Sequence, residues 1–152
     1  MNHEKPIEKP NFRSWCAPIC LVFILVIAMI WTNVYLRSVR YAREGDTYLN
    51  DGLLIEAVSS YETSAHAYTP WNPYVKHSMQ KLWEIGEHLE QLHDDPTYPL
   101  IAYRSLRSSV YAIKSFYTPY KEWIPRCNEK IDELVSIQNQ LLEEARQNAS
   151  PK

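Results

Sequence analysis

From Trp15 to Leu36 the chain reads WCAPICLVFILVIAMIWTNVYL, with no charged residue and an excess of Ile, Leu and Val. A helix advances ~1.5 Å per residue, so ~20 apolar residues cross the ~30 Å hydrocarbon layer of a bilayer. Uncharged runs of this length are seldom buried helices of soluble cores. Trp15 at one end, and Trp31 and Tyr35 at the other, stand where interfacial aromatics stand. Arg13 precedes the run, and Arg37 and Arg40 follow it. Thr32 and Asn33 fall near the far interface, where water reaches them. The reading is a single transmembrane helix over residues 15–37.

A secretory signal has an apolar region of only ~7–15 residues and ends at a small-x-small site. This run is longer, and Thr32-Asn33-Val34-Tyr35-Leu36-Arg37 offers nothing of that kind. A lipoprotein signal needs its Cys after the apolar run, whereas Cys16 and Cys20 lie at the beginning. The expectation is an uncleaved anchor. Lys5, Lys9 and Arg13 before the run balance Arg37, Arg40 and Arg43 after it, so the positive-inside rule is tied. A short basic tail ahead of a first span favours a cytoplasmic N-terminus. The expected location is therefore a bacterial inner membrane with the helical body outside.

Beyond the anchor about 115 residues remain, enough for one small core. A net charge of -2 supplies no basic field for nucleic acid. Of three cysteines, Cys16 and Cys20 fall within the apolar run, which leaves no disulfide framework. Three glycines are too few for a phosphate-cradling loop, and no cofactor is expected.

In order, residues 1–14 are polar and contain Pro6 and Pro10, the composition of a disordered tail. The anchor helix meets no breaker until Asp51-Gly52, so it continues to about Asn50. Leu54, Ala57, Val58, Tyr61, Ala65 and Tyr68 follow at helical spacing. Thr69-Pro70-Trp71-Asn72-Pro73 ends that helix and starts another, with Asn72 as N-cap and Pro73 at the first position. Val75, Met79, Leu82, Ile85 or Gly86, Leu89 and Leu92 form the next stripe, stopped by His93-Asp94-Asp95-Pro96. A fourth helix is predicted from about Thr97 to Tyr117, with Leu100, Tyr103, Leu106, Val110, Ile113 and Tyr117 as its apolar face. A final helix over 120–148 starts near Pro125 or is kinked there. Nothing reads as a strand, and residues 149–152 are a second tail.

Gly45, Tyr48, Gly52, Ala57, Tyr61 and Ser64, with the pair Glu56-Ala57, carry a resemblance to the tetratricopeptide repeat. They fall on that family's Gly, Tyr, Gly, Ala, aromatic and small positions. Tyr41 stands at its early Trp position, and Pro70 closes the unit one residue late. The resemblance implies helical hairpins in which Gly45 and Ala57 permit close approach and Tyr48 and Tyr61 fill the space between. Tyr68-Thr69-Pro70 recurs as Tyr117-Thr118-Pro119, and Gly86 with Leu89 repeats Gly45 with Tyr48. Counted back from the second Tyr-Thr-Pro, the Ala position becomes Leu106 and the aromatic Val110. The expected fold is all-α: one transmembrane helix, a small tetratricopeptide-like antiparallel hairpin domain over 38–119, and a C-terminal capping helix.

Chemistry is sparse. His77, Glu84 and His88 share a helix face, but neither HExxH nor a cysteine pair accompanies them, so a solvated polar face is the better reading. Ser59, Ser60 and Ser64 near His66 lack a nucleophile elbow. No catalytic, cofactor or metal residue is assigned. Aromatics gather in the connections: Trp71 and Tyr74, then Phe116, Tyr117, Tyr120 and Trp123. They seal the hairpin ends, and Trp71, Tyr74, Tyr120 and Trp123 are also a candidate partner surface. Ile124, Cys127, Ile131, Leu134, Gln138, Leu141 and Ala145 alternate by three and four, a seam that suits intramolecular capping and also a homo-oligomer. The expectation is a non-catalytic membrane-anchored module that binds other proteins, as a scaffold or an accessory subunit of a membrane complex. The alternative is a small membrane enzyme or cofactor carrier, which needs a pocket of converging polar side chains.

Overall fold

The computed structural model describes residues 12–114 and 118–149, with side chains at 18–114 and 118–148. Among the described residues the chain is all-helical, with no strand. Its helices are α1 (Phe12–Asn50), α2 (Leu54–His66), α3 (Pro73–Leu92), α4 (Thr97–Ala112) and α5 (Trp123–Ala149). Helix α1 starts inside the stretch read as a tail, since neither Pro nor Gly separates Phe12 from Trp15. The rest of that tail, the residues after 149, the side chain of Trp15, and Phe116 and Tyr117 lie outside the described residues.

The chain divides into two compact units, residues 1–33 and 34–152. In the first, α1 carries a segment long and apolar enough to cross a membrane, with none of its apolar window buried. Ile19, Leu21 to Ile27, Met29, Ile30 and Trp31 all face outward. Thr32 satisfies its hydroxyl on the Ala28 carbonyl at 2.8 Å, which removes a polar group from the surface of the run.

The second unit holds the last turns of α1 and helices α2 to α5. Helix α1 closes with a Schellman motif: Leu53 N–H donates to Tyr48 O at 2.9 Å and Gly52 N–H to Leu49 O at 3.2 Å. Gly52, at φ +76, is the left-handed residue this motif requires. Asn72 caps α3 as its type predicts, its side chain accepting the Tyr74 N–H at 3.0 Å. Asp95 accepts the Thr97 N–H at 2.9 Å where α4 begins.

Successive helices run antiparallel. Ser38 of α1 meets Ser64 of α2, Ser64 meets Ser78 of α3, and Gly86 of α3 faces Tyr103 of α4. On α5, Asn128 meets Arg107 and Gln138 meets Thr97. Between these helices lies one core, with Val58, Tyr61, Met79, Leu82, Leu89, Leu100, Tyr103 and Leu106 fully buried.

Two helices end earlier than their apolar spacing predicts. Ala67 leaves α2 with its N–H turned onto Ser64 O, so Tyr68 lies beyond the helix. Helix α4 stops at Ala112, because Ile113 (ψ 1) turns out of the helix and buries its side chain at the core edge. Helix α5 starts at Trp123, so Pro125 sits in the first turn, where its missing N–H has no helical partner to lose.

Candidate interaction surfaces

Helix α1 reaches α2 along a face of small residues, Ser38, Ala42 and Gly45, all buried. The buried serines make a polar junction. Ser64 Oγ donates to Ser38 O at 2.9 Å, and Ser78 Oγ donates to Ser64 Oγ at 2.8 Å. At Gly45 a Cβ would lie 2.8 Å from carbons of the Tyr61 ring, so a side chain there would force the ring to shift. The Tyr61 hydroxyl donates to Asp46 Oδ1 at 2.7 Å, and His77 Nε2 on α3 is 3.0 Å from the same oxygen.

The same construction recurs two helices on. A Cβ at Gly86 would meet the Tyr103 ring at 2.8 Å. The Tyr103 hydroxyl donates to Glu90, and Lys130 Nζ on α5 is 2.8 Å from that carboxylate. In both places a glycine receives a tyrosine ring, a carboxylate on the glycine's helix takes the hydroxyl, and a base from the next helix but one closes the set. Sequence reasoning placed the aromatic of the second unit at Val110, but the ring on Gly86 is Tyr103. The Tyr-Thr-Pro signals are unequal rulers: the first follows α2 directly, whereas Thr118-Pro119 of the second stand further from the end of α4 at Ala112.

The charges follow from this packing. Burial works against ionisation of Asp46, but hydrogen bonds from Tyr61 and His77, with the charges of His77 and Lys81, hold its carboxyl below the usual value. Burial, and then the adjoining carboxylates, push the phenols of Tyr61 and Tyr103 well up. The hydrogen bond to Glu90 raises Lys130 despite its partial burial. Burial pushes the Cys127 thiol up to about 11, only partly offset by Arg107 and Arg126, so it stays an unreactive thiol at neutral pH.

The other predicted residues lie as follows. Ala57 is fully buried at the α2 core face, and half-buried Tyr48 packs on the core with its hydroxyl on Glu44 at 3.4 Å. Trp31 is exposed on α1. Half-buried Tyr35 makes an edge contact with Tyr74, ring centres 6.4 Å apart. Trp123 packs on Trp83 at 5.6 Å, with the Arg126 guanidinium over both rings at 4.6 and 4.3 Å. Tyr120, half-buried at φ 57, packs against the core. Of the four connection aromatics in the candidate surface, Trp71 alone stands in solvent, 96% exposed and at φ 61.

Helix α5 has two regimes. Cys127, Ile131 and Leu134 are buried against the domain, with Ile124 and Val135 beside them. Gln138 already reaches Thr97, the first residue of α4, and α5 then runs on to Ala149. Leu141 and Leu142 on this overhang are 46% and 52% exposed, and Ile137 borders them at 39%.

Among the described residues no three His, Cys, Asp or Glu side chains converge as a metal site. His77 is engaged with Asp46, Glu84 with Lys81 at 2.7 Å, and His88 is exposed. A hollow of about 210 Å³ beneath the α3–α4 turn is lined in part by Glu90, His93, Asp94 and Glu133. Glu90 there is committed to Tyr103 and Lys130, and His93 stacks on Tyr98. Compared with protein-family models, curated proteins and solved structures, the chain matches none.

Proposed function

We propose that this chain is a non-catalytic, single-pass membrane-anchored helical module that holds a protein partner near the membrane, as a scaffold or accessory subunit. Two tetratricopeptide-like hairpins, α1–α2 and α3–α4, form the module and α5 caps it. The repeated seating of a tyrosine ring on a glycine, Tyr61 on Gly45 and Tyr103 on Gly86, supports that description.

The observation that carries the functional reading is the overhang of α5. Its first turns bury Cys127, Ile131 and Leu134, and its last turns carry Leu141 and Leu142 past the end of α4. Exposed apolar residues in a row on one helix suit a helix-in-groove or helix-on-helix contact. Photo-crosslinking from position 141 in native membranes tests this, with exposed Glu129 on the packed part of α5 as the control site. Adducts from 141 that vanish when Leu142→Glu is added support the reading. An adduct of twice the chain mass identifies a second copy as the occupant. No adduct from 141 beyond those from 129 overturns it.

A further inference from the structure

Trp71 combines three properties that folding does not require together. It is a large aromatic, it is 96% exposed, and it is held at φ 61, a conformation costly for a residue with a Cβ. Its place in the module is defined by its neighbours. Tyr74, three residues on, packs on Tyr35 at the end of the apolar run of α1, and Ser64, near the end of α2, bonds to Ser38. The α2–α3 connection therefore lies beside α1 near Tyr35 and Ser38.

The α4–α5 connection lies at the same end. Ser105 and Ser108 of α4 both donate to Glu62 of α2 at 2.8 Å, so these helices run parallel and finish together. Charge separates the two ends of the module. No Asp or Glu occurs between Glu62 and Glu84, nor between Asp95 and Glu122. Lys76, Lys114 and Lys121 are exposed near the two connections, with exposed Arg37 and Arg40 on α1, and Glu122 is the one carboxylate in those connections. The opposite end carries Asp51, Asp94 and Asp95, all exposed.

We infer that this end of the module is a second membrane contact: Trp71 seats in the headgroup layer of the bilayer that α1 crosses, and the surrounding lysines meet anionic headgroups. Trp prefers that layer, where its ring is shielded and its N–H stays wet, and Lys or Arg near an anionic surface is drawn to it. The inference rests on α1 spanning the bilayer.

The test uses the full chain in phosphatidylcholine vesicles, with and without phosphatidylglycerol. Lipids brominated near the headgroup quench tryptophan, and the difference between the wild type and Trp71→Phe isolates Trp71. The expected result is bromolipid quenching that Trp71→Phe loses, with the Trp71 signal sheltered from iodide. The quenching grows with phosphatidylglycerol and falls in Lys76→Glu with Lys121→Glu, while circular dichroism stays unchanged. A Trp71 signal open to iodide and blind to bromolipid overturns the inference. So does shelter found only in native membranes, which assigns Trp71 to a protein partner. Carbonate washing separates the premise: protein that stays in the vesicles with Trp71 open to iodide refutes this contact alone, whereas release by carbonate refutes the span.

Discussion

The α1–α2–α3 junction and the α3–α4–α5 junction bring three helices together with the same parts, yet differ in what surrounds them. Each has a glycine under a tyrosine ring, a carboxylate on the hydroxyl and a base from the third helix. Around the first, the helices approach through serines and alanines: Ser38, Ala42, Ala57, Ser64, Ala65 and Ser78 are buried there. Around the second, Leu82, Ile85, Leu89, Leu100 and Leu106 supply the contact, and Trp83, Trp123 and Arg126 cover it from outside. Apolar burial is worth ~25 cal/mol per Å², so large aliphatic side chains contribute more than small polar ones. Stability therefore concentrates in the second junction.

The sharpest way to break this comparison is to overfill both glycines. Gly86→Leu and Gly45→Leu each gain up to ~1 kcal/mol of helix propensity and each drive a side chain into a tyrosine ring, where overpacking costs ~1–3 kcal/mol or more. Gly86 lies on the helix packed by α2, α4 and, through Trp83 and Glu90, α5, so its lattice has less room to give. Thermal unfolding of the full chain in mild detergent should show the greater loss for Gly86→Leu. Adding Tyr103→Ala should recover part of it, as coupled neighbours do. Equal losses would mean that the glycine–tyrosine contact alone sets the cost and that the surrounding core does not matter.

How much of this was legible in the chain depended on range. Helix α3 was readable to the residue, because Asn72-Pro73 and His93-Asp94-Asp95-Pro96 are local signals that act on their own backbone. The ends of α2 and α4 were not. Ala67 and Ile113 turn out of their helices as buried residues, and the apolar spacing runs on past them. The resemblance singles out Gly45 and Tyr61 but not the charged groups around the two tyrosines: Asp46, His77, Glu90 and Lys130 look like ordinary surface residues until the fold brings them together. Asp46 and His77 are 31 positions apart, and no periodicity within one helix reaches that far. A search for charge pairs matched to a Gly-to-Tyr spacing would have been the one available signal.

Acidity separates the junctions more gently. The depressed carboxyl of Asp46 contributes stability that is present above its ordinary value of 3.8 and is lost as pH falls through its lower folded value. The raised Lys130 ammonium contributes below its ordinary 10.5, and the raised phenols of Tyr61 and Tyr103 below 10.0. These contributions are lost as pH climbs above those values. Asp46→Asn should therefore flatten the acid limb of melting temperature against pH and take from the alkaline limb only the part of the Tyr61 shift that its carboxylate causes. Lys130→Met should flatten the alkaline limb. Tyr61→Phe and Tyr103→Phe keep their rings and lose one hydrogen bond to a carboxylate, ~1.5–3 kcal/mol at most and less where water competes. An acid limb unmoved by Asp46→Asn would detach that carboxylate from the stability of the first junction.

The smallest expected effect belongs to the outer cover that the second junction has in addition. Arg126 is exposed and holds its guanidinium 4.3 Å above Trp83 and 4.6 Å above Trp123. A solvent-facing cation–π contact is worth ~0.5–1 kcal/mol. Arg126→Met retains much of the apolar stem and removes the charge, so the loss should stay near the lower figure. The rings also touch each other at 5.6 Å, and that contact survives the substitution. A double-mutant cycle of Arg126→Met with Trp123→Leu measures the coupling directly by chemical denaturation. Coupling indistinguishable from zero would reduce the cover to two tryptophans that exclude water from Tyr103. Coupling well above the exposed range would instead mean that α5 is clamped by its first turn, with the overhang at Leu141 held out from a fixed base.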